Sequence, residues 1–228
     1  MEHISVKLNE KQESQFKRFY EILIEWNKVM NLTAITEYDE VLEKHFIDSL
    51  SVEKAIDLNK VKTVIDIGTG AGFPGIPLKI AYPNLEITLL DSLNKRVKFL
   101  NTVIDELELK KITAIHGRAE DFAKQQQYRE KYDLCVSRAV ANLATLSEYS
   151  LPYVKIGGKF ISYKSGSIDE ELIKSENAIK ILGGNIENVI KFQLPGTDIG
   201  RSFVIVRKER PTAKKYPRKA GLPSKEPL

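Results

Sequence analysis

One cysteine, three histidines, two methionines and one tryptophan in 228 residues leave little material for several kinds of chemistry. The lone Cys135 excludes an internal disulfide, and its place in the apolar run Leu134-Cys-Val136 marks it as a core thiol rather than a nucleophile. His3, His45 and His116 are scattered, and with a single cysteine they give no metal-ligand spacing, so no metal is expected. No apolar run approaches the roughly 20 residues that a membrane-spanning helix needs. The opening Met1-Glu-His-Ile-Ser5 lacks a secretory apolar core, and a cytoplasmic protein is expected.

What remains is ordinary for a globular chain: 42% hydrophobic and 29% charged residues, enough to bury a core of one α/β domain with an extension. The net charge of +4 conceals an asymmetry. From Arg207 to Leu228 eight Lys/Arg face two Glu, a local net of +6, so the rest of the chain carries −2.

The chain is organised around Thr63-Val-Ile-Asp-Ile-Gly-Thr-Gly-Ala-Gly-Phe-Pro-Gly75. A β-branched run, Thr63 to Ile67, reads as a buried strand; Gly68, Gly70 and Gly72 follow, and Pro74 to Ala81 reads as a short helix. Strand, glycine turn and helix let bare backbone approach a nucleotide-like ligand. Two registers are open. Gly70-Ala-Gly72-Phe-Pro-Gly75 matches G-x-G-x-x-G with Asp91 21 residues after Gly70, the dinucleotide spacing. Asp66-x-Gly68-x-Gly70-x-Gly72 instead puts an acid at the strand's end, suited to an amino group and useless beside a pyrophosphate. Pro74 also lacks the N–H that a dinucleotide helix offers to phosphate. Both points favour S-adenosylmethionine over NAD, while a plain tight turn is the bland reading.

Upstream, apolar residues recur at helical spacing over 9–32, with Asn9 as N-cap, and again over Tyr38 to Ala55, which contains His45. These make an N-terminal helical extension, residues 1–60, on a core of 61–210. Downstream, Leu85 to Asp91 is the second strand, and Asp91 at its carboxyl edge can accept both hydroxyls of a ribose. Asn94 is the expected cap of a helix running from Lys95 to Leu107. Lys95, Arg96 and Lys98 in its first turn oppose the helix dipole, at a cost of roughly 0.3–1 kcal/mol each, which favours phosphate contact over a merely solvated face.

Ile112 to His116 is the third strand, and Ala119 beside Glu120 supplies an apolar slot and an acceptor suited to an adenine amino group. Tyr132 to Ser137, the fourth strand, delivers Arg138 to the same edge. A helix over 142–154, a strand over 157–164 and a helix over 168–182 follow. Ile186 to Gln193 and Ser202 to Arg207 are too closely spaced for a crossover helix, so they form an antiparallel hairpin. From Pro211 onward Pro, Lys and Arg dominate, and residues 211–228 read as a basic tail, extended or ordered on binding.

Seven strands ending in a hairpin are the pattern of an α/β, Rossmann-like class I S-adenosylmethionine-dependent methyltransferase. Trp26-Asn27, Asn31-Leu-Thr-Ala-Ile35, His45-Phe-Ile-Asp-Ser-Leu50, Asp66-Ile-Gly-Thr-Gly-Ala-Gly-Phe-Pro-Gly-Ile-Pro77, Asp91-Ser-Leu-Asn-Lys-Arg96 and Ser137-Arg-Ala139 narrow it further. With these pieces the chain resembles, over essentially its whole length, the bacterial small-subunit ribosomal RNA guanine-N7 methyltransferase G family, also called glucose-inhibited division protein B. The resemblance implies methyl transfer from S-adenosylmethionine to guanine N7 in the decoding-centre (530) loop of 16S rRNA, at guanosine 527; naked RNA, a precursor particle and the finished small ribosomal subunit all stay open as the substrate, and a monomer is expected. It implies Gly68, Phe73, Ala119, Glu120 and Arg138 as cofactor contacts; Asp91 on the ribose comes from the physical argument alone. His45, Lys95, Arg96, Lys164, Arg201 and the tail are the RNA-binding candidates. Guanine N7 carries an exposed lone pair, so no general base is expected and no catalytic side chain is assigned. A same-fold methyltransferase on another RNA or on protein, and a non-catalytic RNA-binding assembly factor, are the alternatives.

Overall fold

Residues 6–228 are described by the computed structural model; His3 and its neighbours, with the reading placed on them, lie outside the described residues. Helix α1 (Glu10–Met30) opens with a reciprocal cap, Asn9 Oδ1 accepting Gln12 N–H while Gln12 Oε1 accepts Asn9 N–H. The Gln12 amide also donates to the carbonyls of Ile80 and Ala81, so the residue that starts α1 also ties it to the core. Phe16, Phe19, Ile22 and Leu23 complete that attachment by burial.

The second helix is not regular. It runs as α2 (Tyr38–Val41), a π-helical stretch over Leu42–Ile47, α3 (Asp48–Leu50) and a 3₁₀ turn over Ser51–Lys54. Val41 and Phe46, both fully buried, are five residues apart, and the wider turn keeps both inward. The same widening puts Lys44, His45 and Asp48 on the wall of one cavity.

Seven strands form one sheet in the order β3-β2-β1-β4-β5-β7-β6. Strands β1 (Thr63–Ile67), β2 (Glu86–Asp91), β3 (Ile112–His116), β4 (Tyr132–Arg138) and β5 (Val154–Ser165) are parallel, with β1 between β2 and β4. β6 (Gly184–Gln193) and β7 (Gly200–Lys208) form the expected hairpin, and β7 inserts antiparallel beside β5. Because β7 runs backwards, its first residues meet the last residues of β5: Arg201 pairs with Ser165 and Ser202 with Lys164. The carboxyl edge of the parallel strands therefore gathers residues from β1 to β5 and from the start of β7.

Two apolar clusters cover the two faces. One joins α1, the π-helical stretch, α4 (Gly75–Ala81) and α5 (Asn94–Glu106); the other lies under α6 (Ala119–Phe122), α7 (Leu143–Ser150) and α8 (Asp169–Ile181). Cys135 is wholly buried in the second, and burial pushes its thiol up, as a core thiol requires.

Three local expectations are corrected. Leu93, not Asn94, occupies the N-cap position of α5, which has no side-chain cap; the Leu93 N–H donates to Asp91 Oδ1. The helix expected over 142–154 ends at Ser150; a 3₁₀ turn containing Pro152 hands over to β5 at Val154. The tail expected to be extended instead packs on the core: Tyr216, Pro217 and Pro223 are buried, and α9 (Leu222–Lys225) closes it. Composition concealed this, because the partners of the tail are carboxylates elsewhere. Arg218 Nη2 lies 2.7 Å from buried Glu148 Oε2, and Thr212 N–H donates to Glu130 Oε1 at 2.7 Å.

Candidate active site

The glycine turn after β1 holds Gly68, Gly70 and Gly72 at φ of 69°, 61° and 89°, the left-handed region that glycine alone enters without strain. Two acids staple it from below. Asp66, fully buried, accepts the Thr69 hydroxyl at 2.7 Å and Gly75 N–H at 2.9 Å through Oδ2. Asp91 accepts Gly70 N–H at 2.9 Å. The first reading of Asp66 is thereby corrected: its carboxylate clasps the loop and faces no open ligand space, with Oδ1 buried and unpartnered. Burial without full pairing raises its acid to about 6. The point made from Pro74 is strengthened, since the next N–H of that turn, on Gly75, is consumed by Asp66.

At the far end of β2, Asp91 is 2% exposed and also lies 3.5 Å from Arg96 Nη1, so Arg96 is held over the edge while neighbouring Lys95 is exposed. Ala119 is half-buried, its carbonyl accepting the Tyr153 hydroxyl at 2.6 Å. Glu120 is buried, and its Oε1 accepts Gly221 N–H at 2.8 Å. A side chain at Gly70 would meet nothing closer than 4.0 Å, so the turn is open there. An open glycine turn with one carboxylate at the end of β2 and a second in α6, which follows the adjacent β3, suits a nucleoside, with spare lone pairs for ribose hydroxyls and an exocyclic amine. A Cβ at Gly68 would lie 2.6 Å from Val140 Cγ2, the side chain that stands between this half of the site and the next.

The second half is a cavity of about 690 Å³ whose walls include Lys44, His45, Asp48, Arg138, Lys164 and Arg201. Arg138, at the end of β4, is its centre. Its guanidinium donates to Asp48 Oδ2 at 2.7 Å, to the Lys44 carbonyl at 3.3 Å and to His45 Nδ1 at 3.3 Å, and lies 5.1 Å from the Phe73 ring centre. Arg201 Nε donates to the other oxygen of Asp48 at 2.9 Å. Asp48 is 2% exposed, so one buried carboxylate joins two arginines from β4 and β7. Lys164 donates to Glu171 Oε1 at 2.6 Å and to the Ala141 carbonyl at 2.8 Å.

The structure therefore groups the expected site residues in two sets. Gly68, Asp91, Ala119 and Glu120 line the glycine-turn half, and His45, Lys164 and Arg201 line the cavity. Arg138 and Phe73 stand where the halves meet. Lys164 and Arg201, expected as free cations for RNA, are each tied to a carboxylate. Sequence reasoning missed Asp48 and Glu171, and the signal for Asp48 was the acid within His45-Phe-Ile-Asp-Ser-Leu50.

His45 stacks on Phe73 with ring centres 4.6 Å apart. Its Nδ1 is shared between Arg138 Nη2, at 3.3 Å, and the Lys44 carbonyl, at 3.1 Å, while Nε2 lies 2.9 Å from Thr33 Oγ1, so both ring nitrogens are engaged. Burial first, and then the Arg138 charge, push the imidazole down to about 4. A base with a depressed folded pKa stabilises the fold above about 6.5, and that stability is lost as pH falls toward 4. Asp66 acts oppositely, because an acid raised to about 6 costs stability as pH rises from about 4 to 6. The parent chain thus carries two cancelling slopes in this window. Replacing His45 by glutamine removes one of them, so the variant should gain up to about 3 kcal/mol relative to the parent between pH 7.5 and 4. Urea melts of both proteins across that range check this.

Comparison with known proteins follows the same lines. A chain of the complex between the Haloferax volcanii Trm112 methyltransferase activator and a methyltransferase superposes with a TM-score of 0.61 at 13% identity, over 82% of this chain and 98% of that one. M. jannaschii TYW2 in complex with AdoMet gives 0.53 at 14% identity, over 66% and 70%. The strand order, the terminal hairpin and these likenesses define the fold as that of the class I S-adenosylmethionine-dependent methyltransferases.

A family model for GidB, rRNA small subunit methyltransferase G, matches residues 12–199. The ribosomal RNA small subunit methyltransferase G of Lachnoclostridium phytofermentans is 56% identical over 225 residues, 99% of this chain and 93% of the relative. That of Desulforamulus reducens is 54% identical over 221 residues, 97% and 92%. The chain belongs to the rRNA small subunit methyltransferase G family.

Proposed function

We propose that this protein transfers a methyl group from S-adenosylmethionine to N7 of a guanine, guanosine 527 in the decoding-centre loop of 16S rRNA. Family membership supports the cofactor and the RNA class. The observation that carries the rest is the juxtaposition at Arg138 of a nucleoside-shaped glycine turn and a cavity rich in hydrogen-bond donors. S-adenosylmethionine, when bound, supplies a methyl group activated on a sulfonium centre. Gly68, Phe73, Asp91, Ala119, Glu120 and Arg138 hold it in this reading, and the target nucleotide enters the cavity beside His45, Lys164 and Arg201.

The major-groove edge of guanine offers two acceptors, N7 and O6. If N7 takes the methyl group, O6 is left for a donor, and arginine and lysine line the cavity. No proton leaves N7, so the chain needs no base. The nearest titratable groups agree with that: His45 is neutral with both ring nitrogens engaged, and Asp48 has both oxygens engaged. The base becomes cationic as the methyl arrives, while the sulfonium gives up its charge. Catalysis is then mostly positioning. Because His45 at about 4 and Asp66 at about 6 have titrated below neutrality, single-turnover rates should stay flat between pH 7 and 8.5. A rising limb in that range would point to a base.

Exposed Lys95 and the Arg96 held at the same edge are suited to the RNA backbone. Replacing both by alanine should weaken RNA binding and lower the salt slope of log affinity by about 1.4, two phosphate contacts at roughly 0.7 each. Filter binding at several salt concentrations reads this directly.

The assay of the whole proposal uses purified protein, tritiated S-adenosylmethionine and 30S particles, or their RNA, from cells lacking the endogenous activity. Label in small-subunit RNA is the expected result. Label in another RNA or in protein would keep the fold and move the substrate; cofactor binding without label would identify an assembly factor.

A further inference from the structure

Three core carboxylates are engaged by the C-terminal strap, residues 211–228. Glu130 Oε1 accepts Thr212 N–H at 2.7 Å, and Glu148, wholly buried, accepts both the backbone N–H and the guanidinium of Arg218. The third, Glu120, accepts Gly221 N–H. Ions buried as deeply as Glu120 and Glu148 cost several kcal/mol each unless paired, so these contacts lock the strap to one path over the core. That path ends on a side chain of the glycine-turn half of the site.

The ending has a consequence for recognition. Glu120 is held by one oxygen, Oε1, and among the described residues Oε2 has no hydrogen-bond partner. A carboxylate fixed at one oxygen presents the other in a set direction, as an acceptor for an exocyclic amine needs. The anchors behind it are strong: Arg218 binds Glu148 in bidentate fashion, Nε to Oε1 and Nη2 to Oε2, and the Thr145 hydroxyl donates to the Pro223 carbonyl at 2.9 Å. Nothing in this arrangement requires RNA, although Lys214, Lys215 and Lys219 are exposed on the outer side.

We propose that the strap is a working part of the cofactor end of the site, with Gly221 N–H positioning Glu120 so that strap docking and binding of the adenosine moiety reinforce each other. This rests on the reading that the cofactor's adenine lies at Glu120. Gly221 and Arg218 are positioning residues and touch no cofactor themselves. Coupling of this kind is reciprocal: whatever factor the docked strap adds to cofactor affinity, the cofactor adds to strap docking.

The test uses the full chain and S-adenosylhomocysteine as the probe. Calorimetric titration compares the parent with Gly221→Pro, which deletes the donor and also displaces this turn of the strap, because proline cannot adopt the φ of 83° held by Gly221, and with Glu120→Ala. Hydrogen exchange of the unaltered parent then follows the amides of residues 218–226 with and without the probe. Gly221→Pro should weaken binding tenfold or more, through the lost hydrogen bond to a charged acceptor and the displaced turn together, and saturating probe should slow strap exchange by about tenfold. Parent-like affinity in Gly221→Pro, with Glu120→Ala weakened, would overturn the strap's role and leave the site reading standing. Parent-like affinity in Glu120→Ala would overturn the site reading itself, and the inference with it. Should Gly221→Pro fail to fold, strap exchange unmoved by the probe in the parent would overturn the proposal alone.

Discussion

Replacing Arg138 by lysine should lower kcat/KM for methyl transfer by about 10²- to 10³-fold while leaving the melting temperature within a few degrees of the parent. The guanidinium makes three kinds of contact at once: the ion pair to Asp48, hydrogen bonds to the Lys44 carbonyl and His45 Nδ1, and packing over Phe73. A lysine ammonium can keep the ion pair, but it has no planar fork with which to make the others. His45 and Phe73 then lose the group that sets their spacing, at the point where the proposed reading brings cofactor and base together. Displacements of about 1 Å are enough to cost 10²-fold in a reaction that depends on alignment. The fold is spared because Asp48 keeps the partner that reaches it from β7. Steady-state kinetics with 30S particles and a thermal melt decide the matter together. A kcat/KM within fivefold of the parent would remove Arg138 from the centre of the site.

Replacing Asp48 by alanine is expected to act the other way, on the fold first. Asp48 is the only carboxylate shown pairing with Arg138 and with Arg201 among the described residues, and all three lie partly or wholly inside the protein. Removing one partner of a buried charge pair costs about 3–5 kcal/mol, because the remaining charge is left without compensation. For a chain of this length each kcal/mol is worth roughly 2–4 °C, so the melting temperature should fall by about 10 °C. Asparagine at the same position still accepts a hydrogen bond from one guanidinium and should lose about half as much. Differential scanning calorimetry of the two variants reads both numbers. A melting temperature for Asp48→Ala within 2 °C of the parent would mean that the two arginines find other partners.

These two residues also show where sequence reasoning reached and where it stopped. Arg138 could be found from position alone, as a charged residue emerging from the apolar strand Tyr132 to Ser137. The glycine turn, Asp91 and the terminal hairpin were similarly accessible, because strand patterns and turn residues are local signals. Asp48 was not, since its partners lie 90 and 153 residues away and nothing in a helical spacing announces them. The π-helical stretch escaped for a related reason: residues 38–55 carry an ordinary amphipathic pattern, and the wider turn answers to packing of Val41 and Phe46. The strap was misread because proline and lysine dominate its composition, whereas its order comes from Glu120, Glu130 and Glu148 on other elements. Even Asp66, correctly located, had its role inverted, because burial at a strand end cannot be told from exposure there by spacing alone.

The central claim is that the methyl group goes to a guanine N7 and needs no base, and one measurement meets it most directly. Small-subunit RNA methylated by the purified protein is reduced with borohydride and cleaved with aniline, a treatment selective for 7-methylguanosine. A single cleavage in the decoding-centre loop, absent from RNA incubated without S-adenosylmethionine, is the predicted result. Tritium incorporated into the same RNA with no aniline cleavage would place the methyl on another atom and contradict the account.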